Sequence, residues 1–192
     1  MEKEFIENTR VLFKYYKSLG DNTFEQLNEQ DFFWTPDLKS NSLAVIIQHL
    51  AGNMLSRWTD FLISDGEKEW RNREQEFELY LKTKEACLSK WEEGWSCLFE
   101  ALDSVTADNF NQTVYIRSQG HSIMEAVLRQ ISHYAYHVGQ ISYIGRQRAE
   151  EWKSLSIPKG KSSEFNANSF SKGERQEHFT DQFLKNKDDS HQ

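Results

Sequence analysis

Four long segments of this chain carry apolar residues at helical spacing, and proline is absent from all four. Residues three and four apart share one face of a helix, so this periodicity predicts amphipathic helices that pack against one another. The predicted helices span about 3–19, 41–64, 79–105 and 122–150. Only 2 Pro and 9 Gly occur in 192 residues, and a composition so poor in helix breakers favours an all-α four-helix bundle.

Local signals predict where these helices begin and end. Gly20 is predicted to stop the first helix, and Asp65-Gly66 the second, because glycine accepts the backbone conformation that ends a helix. Ser122 and Glu125 have the spacing of a capping box, in which each side chain bonds the other residue's backbone amide. They are predicted to open the fourth helix.

The connections carry different signals. Residues 23–41 are predicted to cross the bundle irregularly, with an apolar plug of Phe32, Phe33, Trp34 and Pro36. The charged stretch 67–78 is predicted to be a solvated connection or an exposed turn of helix. Residues 113–117 are short and β-prone, which predicts an extended segment.

The end of the chain differs in composition. Residues 1–170 are predicted to form one domain, in which 153–170 lie across the helices through Leu155, Ile157, Phe165 and Phe170. Residues 171–192 are polar with mixed charge and are predicted to be a mobile tail, with a short helix near 178–184.

Composition excludes several classes of function. A net charge of −7 disfavours a nucleic-acid partner, which needs clustered Lys and Arg. No stretch approaches the roughly 20 apolar residues of a membrane span, and the acidic N-terminus does not resemble a signal peptide. Cys87 and Cys97 lie on one predicted helix about 15 Å apart, too far for a disulfide. We therefore expect a cytoplasmic protein.

Three histidines form the candidate functional site. His133 and His137 are four residues apart on the fourth predicted helix, so their side chains share a face and can converge on one metal ion. His49 lies on the second predicted helix. Helix-wheel positions place all three at the margin of a buried face, where a cleft between helices can open. Three imidazoles on two helices predict a transition-metal site.

The alternative is a set of ordinary packed histidines. A single histidine on an apolar face is usually a hydrogen-bonded interior side chain, and a His-x-x-x-His pair also arises by chance. A metalloprotease of the His-Glu-x-x-His type is excluded, because Tyr134 stands where that motif requires its glutamate. The residues alone leave metal and packing as competing interpretations.

Two octapeptides and a third segment resemble a known family. The octapeptides are Ile46 to Asn53 (Ile-Ile-Gln-His-Leu-Ala-Gly-Asn) and His133 to Gln140 (His-Tyr-Ala-Tyr-His-Val-Gly-Gln). The third segment is Leu155 to Ser162. Through about residue 170 the chain resembles the DinB/YfiT-like superfamily, and within it a small uncharacterised bacterial branch. The resemblance implies an up-up-down-down four-helix bundle, frequent homodimers, and a zinc or nickel ion held by His49, His133 and His137.

The superfamily includes transferases and isomerases that use thiols such as bacillithiol, so the leading hypothesis is thiol transfer to an electrophilic small molecule. Arg129 and Gln130 share the ligand face, and Arg129 could hold a carboxylate of the thiol, although a solvated arginine is the simpler interpretation. Gln140 and Asn53 could orient the imidazoles.

Two other functions stay open. One is hydrolysis by metal-activated water, which the absence of Asp or Glu at catalytic spacing beside the histidine pair disfavours. Glu125 is expected to be occupied by capping. The other is a non-enzymatic, metal-stabilised dimer that acts in a stress response or binds a partner, with the aromatic first and third helices as its dimer face.

Overall fold

The computed structural model describes residues 2–166 and 178–184 of the chain, and it is mostly helical, which confirms the all-α prediction. Four long helices are α1 (Glu2–Phe24), α2 (Leu43–Trp58), α3 (Lys84–Asp103) and α4 (Ile123–Arg148). Short 3-10 turns lie at Gln30–Phe33 and Gln75–Phe77, and four-residue helices at α5 (Ser162–Phe165) and α6 (Asp181–Leu184). Strands β1 (Thr113–Ile116) and β2 (Gln119–Ser122) pair antiparallel.

The long helices differ from the prediction at several ends. Helix α1 continues through Gly20 to Phe24, because Gly20 lies against Trp91 of α3 and is needed for that close approach rather than for a stop. Helix α2 ends at Trp58, before the predicted Ser64, and the chain turns at Asp60 with a φ of 50°. Helix α4 begins as predicted, with both hydrogen bonds of the capping box present.

Helix α1 packs against α3 and α4. Four side-chain pairs set the directions: Arg10 with Asp103 and Lys17 with Glu92 towards α3, Phe13 with Tyr134 and Thr23 with Gly145 towards α4. Along α1 from its N-terminus, the partner residues on α3 have decreasing residue numbers and those on α4 have increasing residue numbers. Helix α1 is therefore antiparallel to α3 and parallel to α4.

Helix α2 also packs against α3 and α4. Ala51 lies against Gly94 and Thr59 against Cys97, so α2 and α3 run in the same direction. The predicted up-up-down-down order is therefore wrong, and the observed order is up-down-down-up. The reason is the long connection of residues 59–83, which returns the chain to the end where α2 began.

Aromatic side chains fill the centre of the shared core. The rings of Phe13, Trp95 and Tyr134 lie 5.8 to 6.3 Å apart, centroid to centroid, and join α1, α3 and α4. Trp58 of α2 donates its indole N–H to the Tyr134 hydroxyl at 2.9 Å. Tyr134 is fully buried, so it fixes how α4 is rotated and which side its neighbour His133 faces.

The predicted extended segment is confirmed as β1, which buries Val114 and Ile116. The hairpin turn consists of Arg117 and Ser118, whose φ angles are 55° and 61°. Both are left-handed, as a two-residue hairpin turn of type I′ requires, although neither residue is glycine. Asp65 offsets part of this strain, because its carboxylate accepts the backbone N–H groups of Arg117 and Ser118 at 2.8 and 2.6 Å.

We expect Ser118→Gly to raise the free energy of unfolding by about 1 kcal/mol, because glycine adopts a positive φ without steric cost. Urea denaturation measures the change. Ser118→Ala is the matched control and should give no gain, since alanine has the same clash. A destabilised Ser118→Gly protein would contradict the left-handed turn.

Other predicted contacts are met in part. Phe32 is fully buried, whereas Pro36 is exposed and does not join the predicted plug. Leu155 and Ile157 are half-buried, Phe165 is 41 % exposed, and Phe170 lies outside the described residues.

The predicted short helix near the end is present as α6, and the segment that carries it packs on α1. There Tyr15 contacts Phe179 and Phe183. The rest of the predicted tail lies outside the described residues. No helix in the described part of the chain has the length and apolar character needed to span a membrane.

Candidate metal centre

The structure brings His49, His133 and His137 together between α2 and α4. The Nε2 atom of His133 lies 3.3 Å from Nε2 of His49 and 3.1 Å from Nε2 of His137. Each ring offers one potential ligand atom, and these atoms all lie within 4.8 Å of one another. His49 is buried and the other two are half-buried, so the cluster is open to solvent on the α4 side.

The separations fit a shared ion. Imidazole nitrogens bind zinc at about 2.0–2.1 Å, so two such ligands in tetrahedral geometry are roughly 3.3 Å apart. Both measured Nε2 separations are close to this value. The third pair of ligand atoms, on His49 and His137, lies within 4.8 Å, so the three side chains could hold one divalent ion.

The outer nitrogens show which tautomers are present. Nδ1 of His49 lies 2.9 Å from a carboxylate oxygen of Glu76, and Nδ1 of His137 lies 2.8 Å from the amide oxygen of Gln140. The carboxylate accepts, so Nδ1 of His49 carries a proton and donates it. With the Gln140 amide oriented oxygen-first towards His137, Nδ1 of His137 donates as well. In the neutral ring the lone pair is then on Nε2, which points into the cluster.

Burial also favours the neutral, metal-binding form. Burial, together with neighbouring His137 and His49, lowers the pKa of His133 to about 3. Burial likewise lowers the pKa of His137, against a smaller opposing effect of its bond to Gln140. A neutral imidazole keeps the lone pair that a metal requires.

Hydrogen bonding alone satisfies this cluster poorly. With protons on Nδ1 of His49 and His137, only His133 can donate inward, and its single Nε2–H would have to serve two acceptors at 3.3 and 3.1 Å. Three inward lone pairs around a cation would satisfy all three Nε2 atoms. The geometry is therefore compatible with a divalent metal ion held by the three histidines.

Glu76 and Arg71 were missed by sequence reasoning, and the prediction that 67–78 is solvated is wrong for both. Glu76 is 6 % exposed, and the Arg71 side chain is 2 % exposed. Arg71 donates from Nε to one Glu76 oxygen at 2.7 Å and from a terminal nitrogen to the other at 3.0 Å. Burial alone raises the pKa of Glu76, but hydrogen bonds from His49 and Arg71 outweigh it and hold that pKa below its usual value.

One local signal could have pointed to this segment. Phe77 interrupts the run of charges, and its ring stacks on His49 with centroids 4.9 Å apart. Phe77 packs on His49 while 39 % of it stays exposed, whereas Trp70 in the same stretch is 59 % exposed.

The four predicted pocket residues lie in different surroundings. Gln140 contacts His137, as described above, whereas the Asn53 amide oxygen accepts from the Tyr134 hydroxyl at 3.1 Å. Arg129 is exposed on α4. Gln130 is buried, and its amide oxygen has no hydrogen-bond partner among the described residues.

The cysteines and Glu125 stand apart from the cluster. Cys87 is buried, and burial raises the pKa of its thiol to about 11. Cys97 is half-buried and lies beside Thr59. The Glu125 carboxylate accepts the Ser122 backbone N–H at 2.8 Å, which confirms its capping role.

Comparison with known proteins gives a family and no reaction. A family model described as a protein of unknown function, DUF1572, matches residues 1–161, and this range includes all three histidines. No curated protein and no solved structure matches the chain.

Proposed function

This chain belongs to the DUF1572 family of proteins of unknown function, and on that premise we propose a metal-dependent enzyme that transfers a low-molecular-weight thiol to an electrophilic small molecule. The observation that carries the proposal is the convergence of three imidazole nitrogens of His49, His133 and His137. A divalent ion such as zinc or nickel would supply Lewis acidity there, which favours the thiolate over the thiol.

We also propose that the four long helices form the bundle of the DinB/YfiT-like superfamily. The helix contacts support this kinship, since α1 and α2 each pack against both α3 and α4 and so close a ring. The helix order in this proposal is the observed up-down-down-up, which replaces the order that the resemblance implied. Further support comes from the two octapeptides around His49 and His133, which supply the three clustered histidines.

The surroundings of the cluster favour thiol chemistry over hydrolysis. Attack by water at neutral pH benefits from a free carboxylate base. Both oxygens of Glu76 are taken by His49 and Arg71, and Glu125 is bonded to the helix cap. A thiol loses its proton far more readily than water, so it needs less help from the protein.

In the proposed reaction the thiol proton passes to solvent, a sulfur–carbon bond forms, and the leaving group departs with its electron pair. The chain's own contribution is to hold the three imidazoles in place. His49 is fixed by Glu76 and Phe77, and His137 by Gln140.

Elemental analysis of the purified protein, followed by an assay with bacillithiol and 1-chloro-2,4-dinitrobenzene, tests the proposal. We expect about one zinc or nickel ion per chain, and metal-dependent release of chloride with formation of the thioether. Bound metal without turnover by bacillithiol, mycothiol or glutathione would overturn the transferase proposal and favour a non-enzymatic, metal-stabilised protein. If the chain binds neither zinc nor nickel, the packed-histidine interpretation of the cluster is supported instead.

A further inference from the structure

The connection between α2 and α3 is anchored beside the histidine cluster by Gln48, which is fully buried. Its amide nitrogen donates to the backbone carbonyls of Glu76 and Glu78 at 3.2 and 3.0 Å. Its amide oxygen accepts the backbone N–H groups of Tyr80 and Leu81 at 3.1 and 2.9 Å. The residue next to His49 thus holds the segment that carries Glu76 in a fixed position.

Helix α2 leaves a gap for the Glu76 carboxylate. A Cβ atom built on Gly52 would lie 2.5 Å from one Glu76 oxygen and 2.8 Å from its carboxyl carbon. Glycine within a helix is destabilising relative to alanine, so this position has a cost. The gap lies about one turn after His49, and it lets the carboxylate reach Nδ1 of the His49 ring.

Arg71 makes both oxygens of the Glu76 carboxylate hydrogen-bond acceptors. Its guanidinium bonds both oxygens of Glu76 in a bidentate pair, which adds both energy and directional specificity to the ion pair. An ionised carboxylate only accepts hydrogen bonds, so Nδ1 of His49 must donate. The pair therefore selects the one neutral tautomer that leaves Nε2 free to face His133.

We propose that Glu76 is a positioning residue that fixes the tautomer and orientation of His49 for metal binding. Arg71 holds its carboxylate, and the missing side chain of Gly52 leaves space for it. The proposal deepens the function proposed above and depends on it for the metal. Glu76 is not a ligand, because its oxygens are bonded to His49 Nδ1 and Arg71 on the far side of the ring from Nε2. Partners of this kind typically change metal affinity by roughly 10- to 100-fold when removed.

Glu76→Gln is the sharpest variant, because it keeps size and shape. Arg71 donates to the amide oxygen, so the amide NH₂ is left to face His49 and forces Nδ1 to accept. The ring proton then moves to Nε2, where it blocks the metal. We expect the dissociation constant for zinc to be roughly 10- to 100-fold larger than in the wild type. Competition with a chromophoric chelator measures it.

Long-range proton–nitrogen NMR spectra of the metal-free protein give a readout that a purely structural role would not move. In the wild-type chain His49 should carry its proton on Nδ1, and in Glu76→Gln on Nε2. Glu74→Gln, a neutralised exposed glutamate two residues away, is the matched control and should change neither the tautomer nor the affinity.

Gly52→Ala tests the gap without altering any polar group. The added methyl displaces the Glu76 carboxylate, so zinc affinity should fall as in Glu76→Gln. Gly139→Ala is the helix control, because a Cβ there meets nothing within 4 Å, and it should bind zinc like the wild type.

Wild-type zinc affinity and an unchanged His49 tautomer in folded Glu76→Gln would overturn the proposal. If that variant does not fold, Glu76→Asp decides, because it keeps a charge for Arg71 and withdraws the carboxylate from His49. Weaker zinc binding then supports the proposal, and wild-type binding overturns it. Should the wild-type chain bind no metal, the proposed function fails, and the tautomer measurement alone decides the role of Glu76.

Discussion

His133→Ala should weaken the binding of zinc or nickel by roughly 100-fold or more, because it removes one of three ligands and each contributes a large share of the binding free energy. His133 is the middle member of the cluster, with its Nε2 atom 3.3 Å from His49 and 3.1 Å from His137. The remaining pair would hold the ion only loosely. Isothermal titration or chelator competition measures the loss.

His121→Ala is the control for this experiment, since His121 lies on β2, outside the cluster. It should bind metal like the wild type. Because His133 is only half-buried, its replacement should leave the chain folded, and circular dichroism checks this. Equal metal affinity in the His133→Ala and wild-type proteins would show that the ion binds elsewhere.

Gly20→Ala should destabilise the protein by about 2–3 kcal/mol through overpacking. The added Cβ would lie 2.5 Å from the Trp91 ring. That ring cannot shift freely, because its N–H donates to Asp21 at 2.8 Å and it packs edge-to-face with Phe24 and Trp95 at centroid distances of 5.3 Å. Urea or thermal unfolding of the metal-free chain measures the change.

The same substitution at Gly139 provides the comparison. Gly139 lies within α4 with open space around it, so Gly139→Ala should stabilise the protein by about 0.5–1 kcal/mol through helix propensity alone. Opposite signs at the two glycines are the expected result. A neutral or stabilising Gly20→Ala would contradict the close packing of α1 on α3.

These glycines show where prediction from sequence succeeds and where it stops. The existence of four long helices follows from local periodicity, and the start of α4 from the capping box of Ser122 and Glu125, which are contacts between near neighbours. Gly20 was predicted to be a helix stop because glycine often is one. Its actual partner, Trp91, is distant in the chain, and no local pattern reveals that contact.

The direction of the helices was mispredicted for a related reason. Residues 59–83 are long enough either to reverse the chain or to carry it back to where α2 began. Only side-chain pairs between helices, such as Thr59 with Cys97, distinguish these cases.

The candidate site divides in the same way. The spacing of His133 and His137 places them on one face of any helix. His49 could be predicted as a third member of the site because it lies beside the apolar face of the second predicted helix. Glu76 and Arg71 lie in a run of charges that is typical of solvated connections. Their burial depends on each other, on Gly52 and on His49, and is therefore a property of the folded chain.

The most direct test is anomalous X-ray diffraction from crystals of the zinc- or nickel-loaded protein. The account predicts one anomalous peak about 2.1 Å from the Nε2 atoms of His49, His133 and His137 together. A peak at other side chains, or three histidine rings without a peak between them in protein that carries bound metal, would contradict it.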